Sequence, residues 1–385
     1  MADSCFDEET LFDEARRSTG LSNFGDEGFR EGLRVLLETY AKTAHFDARG
    51  REESRARVVQ ILSSRLRIEA AFARHPEIHA RTLSGPLYVT GLPRTGTSAL
   101  FGLLAMDPAA RPLLAWEGLH PYPVEGLQPG DPDPRREATE AQYAAMWSDP
   151  DFERIHHTSP DTPEECVLLL SYDFCDAQLG IEVLMEPYAS WFQRQDLRRP
   201  YTYYRELLKM LDWQRPGRRW LLKSPVHLWA LDVLTELFPG VNIVVMHRNP
   251  LECIPSYCSM MAFLMRRREG LDTRELGPTV LEYLARSAER AHEVRQRCDP
   301  TRFLDVDYRS FVDDPPGTVA RIYGHFHLEL PPEAERAMRG HVRENAQGRH
   351  GRHAYGLEEY GLTAGTVWER LGASGLSCAG TPPCP

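Results

Sequence analysis

From Asp26 to about Ala80, apolar residues recur at helical spacing. Phe29, Leu33, Val35, Leu36 and Leu37 form one stripe, and Val58, Ile61, Leu62, Leu66 and Ile68 form a second. Two or three helices carrying many Arg and Glu are therefore expected ahead of the first strand, as a scaffold layer. The pattern then changes. Pro86–Gly91 is a short apolar run that passes through a Gly/Pro turn into a helix starting near Thr97. Arg219–Ser224, Val241–Met246 and Phe303–Tyr308 are further strand-sized runs. A helix after the first of these stops at Pro239-Gly240, and one after the second starts with Asn249 as its cap and Pro250 in its first turn. Gly126–Arg136 is rich in Pro, Gly and Asp and reads as a loop, while Glu164–Leu170 and Tyr201–Trp213 have helical spacing.

Strands alternating with helices of this length predict the α/β class, a parallel sheet wrapped by helices on both faces. The expected organisation is a helical extension over residues 1–83 packed on the core, an α/β domain over 84–375, and a disordered tail over 376–385.

Composition narrows the partners. The 385 residues are 42% hydrophobic and 26% charged, which allows a sizeable core. A net charge of −11 without a long Lys/Arg stripe argues against nucleic acid, yet leaves room for a local basic pocket. No run is long and apolar enough for stable membrane insertion, and the first residues are acidic where a secretory signal would be basic and then apolar. The eight cysteines are scattered, with no CxxC pair. They are expected as reduced thiols in a cytoplasmic protein. His156 and His157 lack a third ligand at suitable spacing, so no metal is expected. No heptad or interface patch specifies an oligomer.

Gly91-Leu92-Pro93-Arg94-Thr95-Gly96-Thr97-Ser98 carries the chemistry. It follows a strand and opens a helix, the setting in which backbone N–H groups cradle an anionic group. The lysine that should follow Gly96 in a nucleotide triphosphatase is replaced by Thr97, and a basic residue stands within the turn at Arg94. Kinase and ATPase chemistry uses that lysine together with a bound magnesium ion. Transfer of a less charged sulfuryl group needs only a fixed cation near the bridging oxygen, a task Arg94 is placed for. A second segment, Met246–Ser256, puts Arg248 at a strand end and Ser256 on the next helix, where both can clamp one phosphate.

Together the two segments resemble the PAPS-dependent sulfotransferases (PAPS being 3′-phosphoadenosine-5′-phosphosulfate), in a style closer to the bacterial and tyrosylprotein-type branch than to the phenol-sulfating one. Gly91–Ser98 is similar to the family's 5′-phosphosulfate loop, and Arg248 with Ser256 to its 3′-phosphate motif. The likeness extends through Trp220–His227 and Phe238–Gly240 and covers most of residues 84–330. It implies a P-loop-like fold, PAPS as co-substrate on Arg94, Thr95, Gly96, Thr97, Ser98, Arg248 and Ser256, and metal-free in-line transfer to a hydroxyl or amine of a small acceptor. Lys223 would neutralise charge on the transferred group. Arg349 and Arg352, in a Gly-spaced basic segment, are candidates to close over the 3′-phosphate.

The general base has three candidates. Glu117 leads, since Leu113–Gly118 reads as a second short strand ending near the loop and the tyrosylprotein-type branch has a glutamate in a comparable place. His157 is its rival, and Glu165 is more distant. Aromatics at Trp116, Tyr122, Trp191, Phe192 and Tyr201–Tyr204 fit a partly apolar pocket or ordinary core, and the expected acceptor is a secondary metabolite, lipid or glycan. The competing readings are a P-loop kinase or ATPase and a catalytically silent nucleotide-binding protein.

Overall fold

The structure is a computed structural model that describes residues 4–83, 85–128, 130–147, 159–175, 180–344 and 356–372. Its centre is a five-stranded sheet, β1 (Leu87–Gly91), β2 (Ala110–Pro112), β3 (Arg219–Lys223), β4 (Asn242–His247) and β5 (Phe303–Asp307), in the order β2-β3-β1-β4-β5. Every pair is parallel, with Tyr88 beside Leu222 and Ile243, and Val245 beside Asp305. All five residues of β1 are buried, as expected of a strand covered on both faces.

The two-residue period of the strands divides the core into two layers. Leu87, Val89, Leu221, Val244 and Met246 point one way, onto Leu100, Leu104, Ile322 and Tyr323. Tyr88, Leu222, Ile243 and Val245 point the other way, into a cluster that also holds Phe12, Leu33 and Leu62. These last three residues belong to α1 (Glu8–Thr19), α2 (Phe29–Lys42) and α3 (Ala48–Arg74), so the N-terminal helices share an apolar cluster with one sheet face. Asp7 caps α1 through its carboxylate, which accepts from the Thr10 N–H at 2.9 Å, and Asp47 caps α3 by accepting from the Gly50 N–H at 2.6 Å. Asn249 caps the Pro250–Leu264 helix in the same way, with Pro250 in its first turn as the sequence indicates.

Two local expectations need correcting. Leu113–Gly118 is not a strand: Ala110–Pro112 pairs with β3 instead, and Ala115–Leu119 is a short helix, α5. The cause is Glu117, whose carboxylate turns back to accept from the Leu114 N–H at 3.0 Å and so starts a helical turn. The Gly126–Arg136 loop ends early, because α6 (Pro134–Trp147) begins within it, with Asp133 accepting from the Arg135 N–H at 2.9 Å. Among the described residues no helix is long and apolar enough to cross a membrane.

Candidate active site

β1 lies at the point where chain connections leave toward opposite sheet edges, and ligands of open α/β sheets bind beyond the strand ends at such a point. The turn that follows it is built by backbone requirements. Gly91 has φ 144°, and a Cβ there would come within 2.4 Å of the Met246 carbonyl oxygen on β4. Gly96 has φ 94°, and a Cβ would meet the Tyr308 ring at 2.6 Å. Only glycine combines that backbone with so close an approach. Arg94 also takes a positive φ of 67°, and Thr95 locks the turn by donating from its hydroxyl to the Leu92 carbonyl at 2.6 Å.

From Gly96 the chain enters α4 (Thr97–Leu104). Its first intrahelical bond runs from the Leu100 N–H to the Gly96 carbonyl at 3.1 Å. The N–H groups of Thr97, Ser98 and Ala99 precede that bond, as at any helix start, and with the helix dipole they form an anion cradle.

Arg248, at the end of β4, is held on three sides. Its Nε donates to Glu252 Oε2 at 3.0 Å, its Nη1 donates to the Arg94 carbonyl at 3.1 Å, and its guanidinium lies 4.2 Å from the centre of the Tyr308 ring. Ser256 is one turn beyond Glu252 and accepts from Arg94 Nε at 3.1 Å. Arg94 therefore reaches from the first loop to the second motif. The structure brings Arg94, Thr95, Gly96, Thr97, Ser98, Arg248 and Ser256 together around one corner of the sheet.

Lys223 closes the other side of the loop. It ends β3, its side chain is 3% exposed, and its ammonium donates to Ser98 Oγ at 3.1 Å and to Glu165 Oε1 at 2.6 Å. Ser224 donates to the second oxygen of Glu165 at 3.0 Å. Glu165 is delivered there by the Cys166 N–H, which donates to the Lys223 carbonyl at 2.9 Å. Arg94, Ser98, Glu165, Ser224 and Arg248 line one cavity of about 1110 Å³, and Lys223 sits behind Ser98 and Glu165 rather than on its wall. Beyond the loop its wall turns apolar, through Val183, Val226, Trp229, Met260, Met261 and Tyr283.

Glu117 is elsewhere. It is 1% exposed, and Arg111 donates to both of its oxygens at 2.7 Å while Arg215 adds contacts at 3.1 and 3.2 Å. It is not among the cavity-lining residues, whereas Glu165 is. His157, Arg349 and Arg352 fall outside the described residues, as does the 376–385 tail. Tyr201 and Tyr204 are buried in the core, and Trp191 donates to Glu31 rather than facing the cavity. Among the described residues no group of three or more His, Cys, Asp or Glu side chains is gathered as a metal site.

A family model described as the Sulfotransferase family matches residues 86–332. Among solved structures, sulfotransferase STF1 from Mycobacterium tuberculosis H37Rv aligns with a TM-score of 0.84 at 31% identity, over 95% of this chain and 98% of that one. Sulfotransferase STF9 from Mycobacterium avium gives 0.85 at 28% identity over 96% of each chain. The curated omega-hydroxy-beta-dihydromenaquinone-9 sulfotransferase Stf3 of Mycobacterium bovis and Mycobacterium tuberculosis is 26% identical over 256 residues, and the chain spans 63% of that relative's length. With a family match over most of its length, centred on the strands and loop that build the cavity, the chain belongs to the sulfotransferase family.

Proposed function

We propose that this chain transfers the sulfuryl group of PAPS to a hydroxyl on a small acceptor with an apolar body. The observation that carries the reading is the Lys223–Glu165 pair: a buried cation and a carboxylate, 2.6 Å apart, between the phosphate loop and an apolar cavity. The residues fit the donor in three respects. Gly91 and Gly96 let the loop pack tightly on Met246 and Tyr308, the start of α4 offers backbone donors to a 5′-phosphosulfate, and Arg248 with Ser256, linked to the loop through Arg94, offers a cation and a hydroxyl to a second phosphate.

In this reading Arg94–Ser98 hold the sulfuryl group in line with the acceptor by backbone contacts. Glu165 takes the acceptor hydroxyl proton as the new O–S bond forms. Lys223 stabilises the charge that develops on the bridging oxygen as the old S–O bond breaks. The products are a sulfate ester and adenosine 3′,5′-bisphosphate. The apolar wall supports an acceptor that buries hydrocarbon, and the related Stf3 is named for a hydroxylated dihydromenaquinone. Calorimetry of adenosine 3′,5′-bisphosphate against ATP with magnesium tests the donor. Tight binding of the bisphosphate is expected, and preference for ATP with magnesium overturns the reading.

A further inference from the structure

The long helix α3 lies before the family-matched segment, yet it forms part of the cavity wall. Gly50, Glu53, Arg57 and Gln60 line the cavity at spacings of three or four, so they share one helix face. Arg267, just after the Pro250–Leu264 helix, meets that face at its near end. A Cβ on Gly50 would come within 2.6 Å of Arg267 Cβ, and the Asp47 N–H donates to the Arg267 carbonyl at 2.8 Å. Arg267 and Arg57 thus flank Glu53 along a single stripe.

Both guanidiniums are incompletely satisfied. Arg57 Nη1 is buried and has no hydrogen-bond partner among the described residues. Its ion-pair partner, Glu182 Oε1, is 3.8 Å away and already accepts from the Tyr40 hydroxyl at 2.6 Å. Arg267 Nε is likewise buried without a partner, with Asp47 at 3.7 Å from its Nη1 and Glu53 at 3.9 Å from Nε. These separations are attractive but too long for hydrogen bonds. Each guanidinium, short of partners on its buried side, lines the cavity with a side chain 19% (Arg57) or 30% (Arg267) exposed, and its remaining donors are open to a ligand oxygen there. The charged side chains lining this end are Arg49, Arg57, Arg266, Arg267 and the lone carboxylate Glu53, which already accepts from Arg49 Nε at 2.7 Å.

The stripe is separate from the phosphate motif. Ser256 sits in the first half of the Pro250–Leu264 helix, about 12 Å before its end at a rise of about 1.5 Å per residue, and Arg267 lies beyond that end. Between the two ends, Met260, Met261 and Leu264 of that helix supply apolar wall.

We infer that Arg57 and Arg267 form a second oxyanion subsite, and that the acceptor is an amphipath whose carboxylate or phosphate is separated by an apolar body from the hydroxyl to be sulfated. This rests on the sulfotransferase reading of the same cavity. The test is calorimetry on the full chain saturated with adenosine 3′,5′-bisphosphate, using decyl phosphate, decanoate and decanol as probes. The acids are expected to bind at least about tenfold more tightly than decanol, and their ranking distinguishes phosphate from carboxylate. The double variant Arg57→Gln, Arg267→Gln should remove that advantage while leaving bisphosphate and decanol binding unchanged, and Arg57→Lys should retain part of it. Acids that bind no better than decanol, or a folded double variant with undiminished acid affinity, overturn the subsite. Lack of bisphosphate binding instead overturns the donor reading, and the probes run on ligand-free protein then judge the subsite alone.

Discussion

Lys223 Nζ lies 2.6 Å from Glu165 Oε1 and 3.1 Å from Ser98 Oγ, so one ammonium joins the carboxylate at the cavity to the first turn of the phosphate-loop helix. Ser224 holds the other oxygen of the same carboxylate at 3.0 Å. If Glu165 is the base, Glu165→Gln should lower single-turnover sulfuryl transfer by about 10²–10⁴-fold. Bisphosphate affinity should stay within about twofold, since the amide keeps the shape and remains a partner for Ser224. Transfer at the wild-type rate would remove Glu165 from the role.

Lys223 should act on the chemical step more than on binding. Lys223→Met keeps the length of a side chain that is 3% exposed but removes the charge that the proposed mechanism sets against the leaving oxygen. A fall of about 10²–10³-fold in the single-turnover rate is expected, with a smaller change in bisphosphate affinity. Lys223→Arg should not restore the rate, because a planar fork does not fit a slot shaped for a compact ammonium. Full activity in the Arg variant would show that only net charge matters there.

Glu117 makes the opposite prediction. Its carboxylate takes four bonds from Arg111 and Arg215 and lies in a 1% exposed position off the cavity. Glu117→Gln leaves Arg111, itself 3% exposed, with an uncompensated buried charge. Removing one partner of a buried pair costs about 3–5 kcal/mol, so denaturant unfolding should shift by that order. Turnover per folded molecule should be unchanged. A large loss of turnover at wild-type stability would return Glu117 to the chemistry.

The contrast between Glu117 and Glu165 shows what the chain reveals before it is folded. The loop from Gly91 to Ser98 was legible because glycine, proline and hydroxyl residues there answer local backbone demands, and Arg248 with Ser256 because a strand end and one helix turn fix their spacing. Four of the five strands were legible as apolar runs, three of them (β1, β3 and β4) buried along almost their whole length, while the three-residue β2 was not. Glu165 ranked only as the most distant of three base candidates in the sequence, because it stands 58 residues before Lys223 and a loop-to-strand hydrogen bond is what joins the two. The strand expected over Leu113–Gly118 is a helix because Leu113–Leu114–Ala115–Trp116, though apolar enough for a strand, is turned by the bond from the Leu114 N–H to the Glu117 carboxylate. The cavity wall from α3 was equally hidden, since its Arg/Glu face reads in sequence as an ordinary solvated surface.

His227, just after Lys223 and Ser224, is fully buried, with Nδ1 2.8 Å from the Tyr201 hydroxyl and Nε2 without a partner among the described residues. Burial pulls its pKa from 6.5 down to about 3. The folded protein therefore keeps the ring neutral over a range in which the unfolded chain takes up a proton. The stability this contributes is fully present above pH 6.5 and drains away as pH falls toward about 3. Between pH 7 and 5 the loss from this one group is about 2 kcal/mol. Denaturant unfolding across that interval should show the corresponding slope. His227→Gln, less stable at pH 7 for its poorer packing, should lose about one proton's worth of the slope. A variant whose stability falls with acid as steeply as the parent's would place the sensitivity elsewhere.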